Sequence, residues 1–297
     1  MIPNISTYFK FKNNLTQFFL FLTFFAFLGF SDIFFRSPPS DQIHMLLILG
    51  VTCISIVLSV YILREKLHRA DMNPLNIAIT GIIILLLVHP TNLIVLFPLT
   101  LLIAYASKFI RFRSQPVFNP TAIGIIGAFY ISLLLTRLGF LPEPLLTSWW
   151  AADMTQSFLQ SQPLIQYLAG AMILGGFAWF TSSFRKVSYS ISFAMTVFFL
   201  VFMTNLSLES SSADTIDFIL ASFFNSFAFL TLVMLPEPKT SPAFVKQQVV
   251  VAILAGIYFY YAAIRGIPVI GTENAFVETI LVSNLLTLFF KSTALLR

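Results

Sequence analysis

The sequence predicts an all-α polytopic membrane protein of about ten transmembrane helices, arranged as two inverted five-helix repeats. Three observations carry that expectation. Of the 297 residues, 58% are hydrophobic and 10% charged, with a mean hydropathy of +0.89, whereas a soluble domain carries about 25% charged residues. Apolar stretches of bilayer-crossing length, about 20 residues, recur along the whole chain. Basic residues collect in alternate loops. A large soluble all-α protein would need a polar face on each helix, and those faces are missing.

The first span covers 16–35. Ahead of it, "MIPNISTYFKFKNNLTQ" places Lys10 and Lys12 before the apolar run. That run is too long for a signal-peptide core and no small-residue cleavage site follows it, so the segment reads as a cytoplasmic lead-in. The second span, 42–63, carries Cys53, the single cysteine. With no second Cys there is no internal disulfide and no cysteine-held zinc or cluster site, and the thiol is expected to be buried and inert. Spans three and four, 73–88 and 91–107, are short and divided at His89-Pro90. They read either as two crossings or as one broken hairpin. Span five, 117–139, closes the first half, and the second half follows at 163–181, 187–204, 215–235, 247–265 and 275–290. The longest loop is too short to be a soluble domain. The division is therefore 1–140 for the first repeat, 141–162 for an outer connecting loop and 163–297 for the second repeat.

The loops test that count. With the N-terminus inside, the inner segments hold Lys10, Lys12, Arg64, Lys66, Arg69, Lys108, Arg111, Arg113, Arg185, Lys186, Lys239, Lys246, Lys291 and Arg297. Of the 17 Lys and Arg, only Arg36, Arg137 and Arg265 fall outside. This is the positive-inside pattern, and it places both termini in the cytoplasm. It also accounts for the formal charge of +5, so the charge does not argue for nucleic acid as a partner. An odd number of spans per half inverts the second half in the membrane. "YASKFIRFRSQPVFNPTAIGIIG" and "YAAIRGIPVIGTENAFVETILVSNLLT" correspond at span five of each half. Each runs from an aromatic-Ala helix end through a basic residue and a Pro-containing loop into a helix bearing an Asn, Asn119 or Asn284.

Asn119 and Pro120 support two readings. Proline suits the first helical position because its missing N–H is not needed there, and Asn before it is a natural N-cap. The same helix mouth presents oriented N–H groups and a positive dipole end that can hold an anionic or polar ligand. Ionisable residues inside spans are costly and mark pathways. The candidates are Asp32, His44, His89 and Glu278. The first three lie near span ends. Glu278 lies one turn into span ten with Asn284 beyond it, and these two are the candidates for an ion or proton pathway. Trp149 and Trp150 fit an interfacial aromatic belt. Glu209, Asp214 and Asp217 form an acidic outer loop, a solvated face or an attractor for cations. No His/Cys/Asp/Glu set has metal-ligand spacing, and no Gly-x-Gly-x-x-Gly marks a nucleotide domain.

The stretch "MNPLNIAITGIIILLLVHPTNLIVLFPLTLLIAYASKFIRFRSQPVFNPTAIGI" resembles the D subunit of Rnf electron transport complexes, and equally the B subunit of the sodium-pumping NADH:quinone reductase. The shared elements are Ser107 and Lys108 at a helix end, a short basic loop, and Phe118, Asn119 and Pro120. A second shared element is the Pro-rich loop "MLPEPKTSP", with Glu237, Pro238, Thr240, Ser241 and Pro242, where Glu stands for the family's Asp. The resemblance covers nearly all of residues 70 to 290. It implies a urea-channel-like fold, flavin-based electron transfer, and Asn119, Pro120, Glu237, Thr240 and Ser241 as cofactor contacts. Classical members esterify FMN to a Thr in a Gly-Ala-Thr type motif. The corresponding "LLTSWWAADMTQSFLQSQP" has none. Thr155 is the nearest substitute and Thr147 a poorer one, so the expectation is a flavin (FMN or riboflavin) held without a covalent bond, with complete loss of flavin as the alternative. The resemblance further implies a bacterial-type inner membrane, with the lipid bilayer and other membrane and redox subunits as partners. The rival readings are a channel or transporter for a small solute or ion, and a flavin-free membrane scaffold.

The loop alternation generates a test. In a background with Cys53 replaced, single cysteines at Ser157 and Lys239 are expected to react with an impermeant thiol reagent from opposite sides of the membrane. Reaction of both from one side contradicts the alternation.

Overall fold

The computed structural model describes residues 14–36, 38–63, 73–88, 92, 94–112, 115–145, 163–207, 226–237, 239–265 and 275–293. The chain is mostly helical. Helices α1 (Asn14–Arg36), α2 (Pro39–Tyr61), α3 (Pro74–Leu87), α4 (Leu96–Ser107) and α5 (Pro120–Arg137) come from the first half. Helices α6 (Pro163–Ser183), α7 (Val187–Ser207), α8 (Ser226–Phe229), α9 (Val245–Phe259) and α10 (Ala275–Thr293) come from the second. Helix α8 runs on into a π turn at Leu230–Met234, and α9 into another at Tyr260–Ile264. Among the described residues five segments are long and apolar enough to cross a membrane: Pro39–Tyr61, Pro120–Arg137, Val187–Leu206, Val245–Ile264 and Ala275–Ser292. Helices α3 and α4, with 14 and 12 residues, reach only about 20 Å at 1.5 Å per residue, short of a hydrocarbon core of about 30 Å. The helical plan has one small addition among the described residues. Strands β1 (Arg111–Phe112) and β2 (Gln115–Pro116) pair as an antiparallel hairpin inside the short basic loop.

The chain divides into two compact units, the first holding Met1–Ser107 and Ile123–Met154, the second Lys108–Ala122 and Thr155–Arg297. In the first unit α3 is the central helix. Leu75, Ile77, Ile79, Ile83, Ile84, Leu85 and Leu86 are all buried, and α1, α2 and α4 pack on it. Asn73 starts α3 by accepting from the Leu75 N–H at 2.9 Å, with Pro74 at the first helical position. The Tyr105 hydroxyl of α4 donates to the Ile77 carbonyl at 2.9 Å and fixes the crossing of α3 and α4. Helices α4 and α5 touch backbone to backbone. A Cβ on Gly124 would sit 2.7 Å from both the Ala104 Cβ and the Thr100 carbonyl oxygen, and one on Gly127 would sit 2.9 Å from Ile103 Cγ2. Small residues permit such approach between helices in an apolar medium.

Cys53 corrects an expectation: it is exposed. Helix α2 is apolar all round, so its composition does not say which face turns inward. Met45, Ile48 and Thr52 do, which leaves Cys53 outward with Ile54, Val57 and Leu58.

In the second unit α9 lies along α7 and α10 packs on α9. Phe193, Phe227 and Phe259 form the core of that packing, with ring centroids 5.6 to 5.8 Å apart. A π turn leaves carbonyls without their usual helical partners. In the first π turn two hydroxyls from neighbouring helices take them up. Thr181 of α6 donates to the Leu232 carbonyl at 2.6 Å, and Ser190 of α7 donates to the Thr231 carbonyl at 2.7 Å.

Two helices end in the same capping motif with different residues. After α5, Gly139 has φ 77°, Phe140 N–H donates to Leu135 O at 2.9 Å and Gly139 N–H to Thr136 O at 3.0 Å. After α6, Arg185 has φ 58°, Lys186 N–H donates to Thr181 O at 3.0 Å and Arg185 N–H to Ser182 O at 2.9 Å. Both are Schellman caps, in which glycine is favoured because a Cβ is strained at positive φ.

Two substitutions test this packing. Gly124→Ala is expected to cost about 1–3 kcal/mol because the methyl meets backbone, whereas Gly50→Ala, with open space around the new Cβ, should be neutral or slightly stabilising. Thermal unfolding in detergent reads both. Equal melting temperatures for the two variants would contradict the α4–α5 contact.

Candidate functional site

The second unit gathers its polar chemistry around the loop that joins the first π turn to α9. This loop folds on its own acid. The Ser241 N–H and hydroxyl both donate to the Glu237 carbonyl, at 3.0 and 2.7 Å. The Thr240 hydroxyl donates to Glu237 Oε2 at 2.8 Å. Short hydroxyl side chains fold back on nearby backbone in this way, and Thr240 and Ser241 are buried as a result. Burial pushes the Glu237 carboxyl above its ordinary range, while the Thr240 hydroxyl and then Lys108 and Lys239 pull it back down.

Three lysines from three other chain segments surround this loop, which carries a fourth, Lys239. Lys108 follows α4. Burial pulls its amine down to about 8, Glu237 works against that shift and Lys239 works with it. Lys186 lies between α6 and α7, only 5% exposed, and its Nζ donates to the Pro242 carbonyl. Burial, with Lys291 adding repulsion, lowers it to about 8. Lys291, in the last turn of α10, points Nζ at the Lys239 carbonyl at 3.5 Å. Gln248 of α9 completes the corner. Its Nε2 is shared among the Arg185, Pro242 and Ala243 carbonyls, each at 3.3 Å, and its Oε1 is buried without a partner. A lysine cluster around a single buried carboxyl can hold a phosphate or carboxylate by charge-assisted hydrogen bonds.

The helix mouth at Asn119 belongs to the same unit. Asn119 Oδ1 accepts from the Ala122 N–H at 3.2 Å, with Pro120 at the first helical position, so the side chain caps α5. Its own N–H donates to Asn284 Oδ1 at 2.6 Å. Asn119 is 4% exposed. Two residues proposed from sequence for different roles are therefore hydrogen-bonded to each other. Along α10, Glu278, Thr279, Ser283, Asn284 and Thr287 are all buried. The Tyr258 hydroxyl of α9 donates to Glu278 Oε2 at 2.7 Å, and the Tyr189 hydroxyl of α7 is hydrogen-bonded to that of Ser283.

Other candidates fall elsewhere. His44 in the first unit donates from Nε2 to the Asn92 carbonyl at 3.2 Å. Thr147, Trp149, Trp150, Thr155, His89, Glu209, Asp214 and Asp217 lie outside the described residues, as does the side chain of Asp32. Among the described residues no group of three or more His, Cys, Asp or Glu could hold a metal ion. Sequence reasoning missed Gln248, Tyr189 and Tyr258 as members of the site, and counted Lys186 and Lys291 only as positive-inside charges. One signal was available for the caps: Asn-Pro opens both α3 and α5.

The asparagine pair gives one prediction. Asn284→Leu leaves a buried N–H without an acceptor and is expected to cost about 1–3 kcal/mol, while Asn119→Ser and Asn119→Asp, both good caps, should melt close to the parent. A silent Asn284→Leu would mean that the bond carries no stability. The lysines give another. In the fold Lys108 and Lys186 titrate near 8 against an ordinary 10.5, so across that window the unfolded chain binds more protons than the native one, and stability rises with pH. Lys108→Met and Lys186→Met should each flatten the rise in melting temperature. A falling curve in the parent would contradict the burial of these amines.

No protein-family model matches the chain, and no curated protein matches it.

Proposed function

We propose that this chain is the membrane subunit of a flavin-dependent, ion-coupled electron transport system, of the kind formed by the Rnf D and sodium-pumping reductase B subunits. In this reading ten spans form two inverted repeats of urea-channel-like fold. Both termini face the cytoplasm of a bacterial-type inner membrane, and other membrane and redox subunits lie alongside. The observation that supports it most is the meeting of the two stretches that carry the resemblance. Lys108, from the first, lies close enough to Glu237, from the second, for each to shift the other's titration.

The residues at that meeting point suit a flavin bearing a phosphate. Lys108 and Lys239 supply positive charge, and Gln248 Oε1 is a buried acceptor still lacking a donor. A bound flavin would supply the redox chemistry, and the chain would supply binding, orientation and electrostatics. The absence of Gly-Ala-Thr around Thr155 favours a non-covalent cofactor. A second reading, a channel or transporter for a small solute or ion, draws support from the buried polar residues along α10.

An absorbance spectrum of the purified, intact protein separates these readings. The flavin reading expects a flavin spectrum, release of the chromophore on denaturation, and no fluorescent band in a denaturing gel. Lys108→Met and Lys239→Met should each weaken flavin retention about tenfold, the size of one charge-assisted contact. A fluorescent band that disappears in Thr155→Val would replace the non-covalent site with a covalent one. A flavin-free protein that carries a solute across liposome membranes would establish the channel reading instead.

A further inference from the structure

Glu278 is the most conspicuous ionisable group inside a helix long and apolar enough to cross a membrane. It sits in the first turn of α10 and is 2% exposed. Its Oε2 accepts from Tyr258 at 2.7 Å. Its Oε1 is buried and has no hydrogen-bond partner among the described residues. An ionised carboxylate offers about four lone-pair sites, and leaving most of them dry is costly. Its neighbours along the chain are largely apolar and buried. Ala275, Val277 and Ile280 on the same helix are buried, and the Phe259 and Phe276 rings meet with centroids 5.1 Å apart, joining α9 to α10 two residues before Glu278.

Something must complete Oε1. A metal ion would need several oxygen ligands, and no group of three or more His, Cys, Asp or Glu exists among the described residues. A fixed cationic partner is also lacking in the described contacts. The titratable and charged groups on the elements packed against α10 are Tyr258 and Lys246 on α9, and Tyr260, Tyr261 and Arg265 at the second π turn. Tyr189 reaches α10 from α7, and Lys291 lies at the far end of α10 itself. Tyr258 is the one hydrogen-bonded to the carboxyl. The Tyr260 hydroxyl is hydrogen-bonded to Thr204, Arg265 lies over the Tyr260 ring at 5.8 Å, and Tyr189 is taken by Ser283. A proton is the remaining occupant that needs no further ligands.

We propose that Glu278 is a proton-exchanging carboxyl, protonated and deprotonated at Oε1 while Tyr258 keeps donating to Oε2. Uptake converts the carboxylate to the acid with a proton drawn from hydronium, leaving water. Release returns that proton to water from the same oxygen. The site goes beyond the electron-transfer reading and holds whether or not a flavin binds.

The test uses the intact protein in liposomes and dicyclohexylcarbodiimide, an apolar reagent that modifies protonated carboxyls, with the adduct located by mass spectrometry. Glu278 is expected to be modified, with the rate falling tenfold per pH unit on the alkaline side of the transition, as for a single proton, and with no protection by sodium at constant ionic strength. Glu278→Gln removes the adduct. Tyr258→Phe, which takes away the donor to Oε2 that favours the carboxylate, extends modification toward higher pH, and this arm does not need the Gln variant to fold. Sodium protection at fixed pH would overturn the proposal in favour of a cation site. A Glu278 that stays unmodified at every pH where the protein is folded would overturn it in favour of a carboxylate that only stabilises the N-terminal end of α10. Flavin content, read separately on the same sample, fails or holds independently.

Discussion

A backbone N–H or C=O without a partner in an apolar medium costs several kcal/mol. That cost organises this protein. At the start of α5, at the first π turn and in the loop before α9, side chains from elsewhere in the chain take up exposed backbone groups. Asn284 accepts the N–H of Asn119. Thr181 and Ser190 cover the carbonyls of the first π turn. Lys186 and Gln248 converge on the Pro242 carbonyl. Since the apolar side chains pack about equally well against lipid or each other, these polar contacts select which helix lies against which.

The same contacts concentrate chemistry in the second unit. Its loop 235–244 is held by its own hydroxyls from within and by lysines from without, so a positively charged corner forms around a carboxyl that burial keeps reluctant to ionise. Opposed tendencies in Lys108 and Glu237 make the corner responsive, because a ligand or proton that changes one alters the electrostatic cost of the other.

Much of the helical plan was legible because apolar runs, Asn-Pro starts and basic loops each have a local cause. Nine of the helical segments fall within a few residues of the spans expected from sequence, and the tenth, at Ser226–Met234, lies inside its span. What was not legible has physical reasons. A helix apolar on all sides does not announce its inward face, so Cys53 was misplaced. A π turn has no residue code, so the widening at Leu230 and Tyr260 was unseen. The bond between Asn119 and Asn284 spans 165 positions, and no local pattern reports it. The site was legible in halves: its lysines were read as topology, its loop as family likeness, and only packing joined them.

The outward position of Cys53 has a consequence for the covalent life of the protein. The chain has one thiol and therefore no internal partner for it. An oxidant dissolved among the lipid tails can link this sulfur only to another molecule. Disulfide formation becomes a record of lateral encounters at the α2 face, governed by crowding in the plane of the membrane, and the helices of a single copy stay joined by nothing stronger than the peptide chain and the hydrogen bonds between them.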